Sequence, residues 1–106
     1  MPLRLRTDEV HVWQAVLGSE DISPRDLEDL LSEEEISRAN RFHFEKDRKQ
    51  FVVSRGILRT LLGNYLSSQP NELSLHYSPY GKPFIENKEG LRFNLAHSQD
   101  VAVFGF

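Results

Sequence analysis

The sequence predicts an α+β fold, a small antiparallel sheet of short strands with one long helix packed on it. Three stretches predict it. Residues 45–66 place Phe51, Leu58, Leu62 and Tyr65 on one side at helical spacing, with Val52, Leu61 and Leu66 widening the stripe. Residues 10–17 (Val-His-Val-Trp-Gln-Ala-Val-Leu) are rich in β-branched and aromatic types and stop at Gly18, as a strand does. Everything after residue 72 alternates short apolar runs with turn residues.

Taken in order, the first strand holds His11 and Gln14 as its polar positions, and Trp13 is expected as a core anchor. Ser23-Pro24-Arg25-Asp26 is a helix start: Ser23 can cap, Pro24 suits the first helical position and Asp26 completes a capping box. Leu27, Leu30 and Leu31 give that segment an apolar face. Ser32-Glu33-Glu34-Glu35 is a second start of the same kind, its acids placed where the helix dipole favours them. Ile36 and Ala39 carry this helix towards Phe42. Within the long helix, Gly56 with Ser54 offers room for another element to come close.

Residues 73–77 read as a strand. Ser78-Pro79-Tyr80-Gly81-Lys82-Pro83 reads as a turn, because Pro-x-Gly-x-Pro suits neither a helix nor a central strand. Residues 84–85 are a short strand and 87–90 a second turn. Residues 92–95 read as a strand, Asn94-Leu95-Ala96-His97-Ser98 as a polar loop, and 101–106 as a closing strand. With no turn or charge after it, that closing strand is expected to form an exposed apolar edge that favours dimerisation or poor solubility.

Composition narrows the function. The chain has 106 residues, 39% apolar and 27% charged, which suits one soluble globular unit. It has no cysteine, which removes disulfides, thiolate-bound zinc and thiol nucleophiles. No secretory signal or spanning segment is evident, so a cytoplasmic location is the expectation. Behind a net charge of −3, eight of the 16 acidic residues lie within 20–35 and seven of the 13 basic residues within 38–59. The acidic block is explained by the two helix starts.

The basic block asks for a ligand. Arg48, Val52, Arg55 and Arg59 fall in a narrow sector of the long helix, with Arg38 and Arg41 before it. Guanidiniums in a row suit phosphates, since each offers a planar fork of donors at any ordinary pH. A solvated face paired with Glu45 and Asp47 is the plain alternative, although Arg55 sits four residues after Phe51 and close to the apolar stripe. Lys82 is fixed in its turn between two prolines. His97 has no second histidine at ligand spacing, which argues against zinc. Ser98, His97 and Asp100 are too close together in sequence for a triad.

The order of these features is more specific than any one of them. Arg41-Phe42 before a basic helix, then Tyr80-Gly81-Lys82-Pro83, then Phe93-Asn94-Leu95-Ala96-His97-Ser98 and an apolar strand, resembles the first half of the surfactin-synthetase-activating type of 4'-phosphopantetheinyl transferase over residues 33–106. The resemblance implies one half of a pseudo-twofold fold: residues 1–106 as the N-terminal half-domain, with a second, metal-binding half absent. It implies transfer of the phosphopantetheine arm of coenzyme A to a serine of an acyl or peptidyl carrier protein. Lys82 and His97 would contact phosphates, with Arg55, Arg41, Arg48, Ser98 and Asn94 around them. Magnesium is implied for the complete enzyme, with ligands outside this chain, so the chain alone is not expected to turn over.

One departure is Ala96, where the family usually has serine; Ser98 or a backbone N–H would have to replace that donor. The alternative is a non-catalytic remnant that binds coenzyme A or a carrier protein. A nucleic-acid module is disfavoured by the acidic balance and the lack of a matching motif.

Overall fold

In the computed structural model the described residues are 11–17, 23–87, 90–98 and 101–106, with His97 and Ser98 described in their backbone alone. The expectations at Val10, Gly18, Asp100 and the N-terminal nine residues lie outside them. The elements are β1 (Val12–Val16), α1 (Pro24–Glu28), α2 (Glu33–Ala39), α3 (Glu45–Leu66), β2 (Leu75–Tyr77), β3 (Pro83–Ile85), β4 (Asn94–Ser98) and β5 (Val101–Gly105), with a single 3₁₀ turn at Pro70–Glu72.

Helix α3 spans the predicted range. Glu45 and Asp47 stand in its first turn, and Ser67 ends it in the left-handed conformation with φ 55°. Leu58, Leu61, Leu62 and Tyr65 are buried as the stripe requires, while Phe51 stays half-buried. Against this face pack Leu73, Leu75, Ala102, Phe104 and Phe106. Short α1 crosses α3 at Gly56, where a Cβ would stand 2.6 Å from Leu27 Cβ. The close approach is made by a leucine side chain seated where α3 has none.

All strand pairs are antiparallel, but they form two sheets where one was expected: β1-β5-β4 and β2-β3. Leu75, with Leu73 before it, joins the core beneath α3. Strand β5 is the centre of its sheet, so the expected exposed edge at 101–106 is corrected. Ala102, Phe104 and Phe106 are buried, and the edges are β1 and β4. Trp13 pairs with Phe104 across the sheet. It is not the expected core anchor: it is 39% exposed, and its indole N–H donates to Tyr65 Oη at 2.9 Å. An edge strand covers its outer residues poorly, which also leaves Val12 and Val16 exposed.

The two expected capping boxes part company. At Ser32 the box is complete, with Glu35 N donating to Ser32 Oγ at 3.2 Å and Ser32 N to Glu35 Oε1 at 3.0 Å. At Ser23 the side chain makes no cap bond, and Asp26 N donates to the Ser23 carbonyl at 3.1 Å. Pro24 at the start and an early end at Glu28 leave α1 little more than one turn.

Candidate functional site: two arginines over a buried ion pair

The site is built on α2 and α3, which contribute residues one turn apart. Glu35 and Arg38 are three apart on α2, and Arg55 and Arg59 are four apart on α3, so each pair shares a helix face. Tyr77, the last residue of β2, lies between the pairs.

The inner pair is buried. Glu35 and Arg59 are 0% and 1% exposed, and Arg59 Nε donates to Glu35 Oε1 at 2.6 Å. Arg59 Nη1 also donates to the carbonyls of Pro70 and Leu73, each at 2.9 Å. These bonds offset much of the desolvation that a buried charge costs. Arg59 therefore leaves the expected phosphate-facing row: it turns inward to neutralise a carboxylate.

The outer pair stays half-exposed. Arg55 Nε donates to Tyr77 Oη at 3.1 Å, and Tyr77 Oη donates to Glu35 Oε2 at 2.5 Å. The Arg55 guanidinium also lies 4.8 Å from the centre of the Phe51 ring. Arg38 Cζ lies 4.4 Å over the Tyr77 ring, and its Nε is buried with no hydrogen-bond partner among the described residues. Among the described residues its ion pair is a 3.5 Å contact with the exposed Glu34, which solvent screens. Among the described residues no carboxylate pairs with Arg55. Burial, and then the bond to Glu35, push the Tyr77 phenol well above the usual tyrosine range, against an opposing pull from Arg55.

The turn before β3 completes this side. Gly81 N donates to the Ser78 carbonyl at 2.8 Å, and Ser78 N to the Lys82 carbonyl at 2.9 Å. Gly81 takes φ +84°, the left-handed position such a hairpin loop needs. A Cβ there would stand 3.8 Å from Arg38 Nη1. The turn thus lies against Arg38, and Lys82 follows it with an exposed side chain. Arg38 and Arg55, with the Lys82 turn against Arg38, make a cationic cluster whose chemistry suits a phosphate.

The other expected residues are placed differently. Arg48 is engaged by Glu28 and, at 3.1 Å, by Asn40 Oδ1, with Glu45 at 3.8 Å, so it ties α1 and α2 to α3. Arg41 is exposed on the turn after α2. Asn94, His97 and Ser98 are not in a loop: they lie on β4, opposite Gly105, Ala102 and Val101. The side chains of His97 and Ser98 lie outside the described residues. The sequence gives Glu35 a capping part only, Arg38 a flanking one, and Tyr77 no part in the site. The signal available was the spacing of Arg38 from the Ser32–Glu35 box, together with an aromatic residue directly before the Ser-Pro-Tyr-Gly-Lys-Pro turn.

The chain that carries this arrangement belongs to a known class. Residues 24–105 match the model of the family described as 4'-phosphopantetheinyl transferase, N-terminal, and the chain belongs to that family. It is 42% identical over 104 residues, 95% of its length, to the 4'-phosphopantetheinyl transferase HetI of Nostoc sp., covering 44% of that protein. It is 35% identical over 79 residues (73% of the chain, 27% of the relative) to the phosphopantetheinyl transferase of Thraustochytrium sp.. It is 26% identical over 68 residues (64% and 30%) to a 4'-phosphopantetheinyl transferase of Bacillus subtilis. The chain spans less than half the length of these relatives.

Proposed function

We propose that the protein transfers the 4'-phosphopantetheine arm of coenzyme A to a serine of an acyl or peptidyl carrier protein, and that these 106 residues form the coenzyme A side of its site. In this reading it is of the surfactin-synthetase-activating type and cytoplasmic, where coenzyme A and carrier proteins meet. Among the described residues no helix is long and apolar enough to cross a membrane. The observation that carries the reading is the convergence of Arg38 and Arg55 on Tyr77 beside the Lys82 turn, two half-exposed cations that pair directly with no buried carboxylate among the described residues.

Coenzyme A offers a ribose phosphate and a pyrophosphate. The serine hydroxyl oxygen attacks the pantetheine-side phosphorus and releases its proton to solvent, the pyrophosphate P–O bond breaks, and adenosine 3',5'-bisphosphate departs with the added negative charge. Fixed cations stabilise that charge and hold the nucleotide in line. Arg38, Arg55 and Lys82, with His97 on β4, take this part. Among the described residues no three His, Asp or Glu side chains gather at one point; magnesium, expected for the complete enzyme, would be held by ligands outside these residues together with the coenzyme's phosphates. We read this half as binding and orienting the coenzyme.

Calorimetric titration with coenzyme A tests the reading. The parent chain is expected to bind, and Arg38→Ala, Arg55→Ala, Lys82→Ala and His97→Ala each to weaken binding by about tenfold, the worth of one charge-assisted contact. Variants that bind like the parent would place the coenzyme elsewhere. Binding without transfer in a protein extended by the relatives' remaining length would favour the non-catalytic remnant.

A further inference from the structure

We infer that Tyr77 is a positioning residue of the cationic cluster: it aims Arg55 and Arg38 at the ligand while keeping the Glu35 carboxylate from neutralising them. The inference rests on the anion-binding reading above and goes beyond it, giving a role to a side chain that carries no charge.

The direction of the hydrogen bonds is fixed by simple counting. A phenol has one proton, and Tyr77 gives it to Glu35 Oε2 at 2.5 Å. Its oxygen can then only accept, and it accepts from Arg55 Nε at 3.1 Å. Glu35 is itself held through Oε1, by Arg59 Nε at 2.6 Å and by Ser32 N at 3.0 Å. Orientation therefore passes from the α2 cap through Glu35 and Tyr77 to Arg55. The Tyr77 ring seats Arg38, with Cζ 4.4 Å from its centre.

The interposed phenol also separates charges. Without it, Glu35 Oε2 would lose its donor and Arg55 Nε its acceptor, leaving Arg55 the longer 3.5 Å contact from Nη1 to Ser54 Oγ, and the two groups would be free to pair directly. Such a pair would spend the Arg55 charge on the protein. With the phenol in place, Glu35 balances Arg59 and Arg55 stays available. An arginine already fixed loses less rotamer freedom when ligand arrives, which raises affinity without a new contact.

The test is a mutant cycle of parent, Tyr77→Phe, Arg55→Ala and the double variant, read by calorimetry with two probes, coenzyme A and inorganic pyrophosphate. Tyr77→Phe keeps the ring under Arg38 and removes only the hydroxyl. It is expected to weaken both probes about three- to tenfold, and to add nothing once Arg55 is alanine. A purely structural role gives additive losses and overturns the inference, as does a Tyr77→Phe chain that binds like the parent. If the parent binds pyrophosphate but not coenzyme A, the coenzyme reading fails, and the pyrophosphate cycle still decides the role of Tyr77. If it binds neither, both fall. Should Tyr77→Phe not fold, the Arg55 Nε–H resonance of the ligand-free parent decides: one protected signal supports the inference, and an exchange-averaged signal overturns it.

Discussion

Arg59 and Glu35 place opposite charges 2.6 Å apart in the interior, one from α3 and one from the first turn of α2. Glu35 also closes its own helix cap, so one carboxylate serves the helix start, the interhelical contact and Tyr77. Arg59→Met would leave that carboxylate buried without its counter-ion. We expect a loss of about 3–5 kcal/mol, measured by urea denaturation. A loss below about 1 kcal/mol would mean that water reaches the pair.

The Arg48 contacts are of another kind. Its partners Glu28 and Asn40 lie on α1 and just past α2, and its side chain is 25% exposed. Arg48→Met should cost about 1 kcal/mol after allowance for solvent screening, while leaving coenzyme A binding as in the parent. Reduced coenzyme A affinity in this variant would return Arg48 to the ligand site.

Gly56 faces Leu27 with no spare room, since a Cβ would sit 2.6 Å from Leu27 Cβ. Gly56→Ala must push α1 away and should cost about 1–3 kcal/mol, against the helix propensity alanine would otherwise gain. Gly105→Ala is the control, with nothing within 4 Å of its added Cβ. Thermal melting should separate the two by several degrees.

The raised pKa of Tyr77 carries a sign. The folded protein holds the phenol proton more tightly than the unfolded chain does. The corresponding stability is fully present below the ordinary tyrosine value of about 10 and is lost as pH climbs towards the higher folded value. The difference in unfolding free energy between parent and Tyr77→Phe should therefore be constant from about pH 7 to 9 and shrink above about 10. A difference that grows in alkali would show that the phenol ionises in place.

Much of the scaffold was legible in the sequence, because local chemistry decides it. The helical stripe set α3, the Ser32–Glu35 spacing set a cap, and Pro79, Gly81 and Pro83 set the turn. What escaped depends on partners distant in sequence. Nothing near Arg59 says that it turns inward; that follows from Glu35, Pro70 and Leu73 meeting around it. The central place of β5 depends on β1 arriving from the other end of the chain. For the site, the arginine row was visible as a row. Which of its members turns inward and which stays half-exposed depends on Glu35 and Tyr77, their hydrogen-bond partners from other elements.

The pairing of Val12 with Gly105 also bears on how the protein is born. Helices and the β2–β3 hairpin make local contacts and can form as soon as their residues are free. The larger sheet must wait for its middle strand, which is the last in sequence among the elements here, and then close a loop of nearly the whole chain. Loop closure over such separations slows folding. The contacts that join α2, α3 and β2, such as Tyr77 to Glu35, span shorter separations than the β1–β5 pairing and can be made before it. During synthesis, Val12, Trp13 and Val16 remain an unmatched edge until that moment, an interval in which a ligand or chaperone that holds the helices would have the most effect on yield.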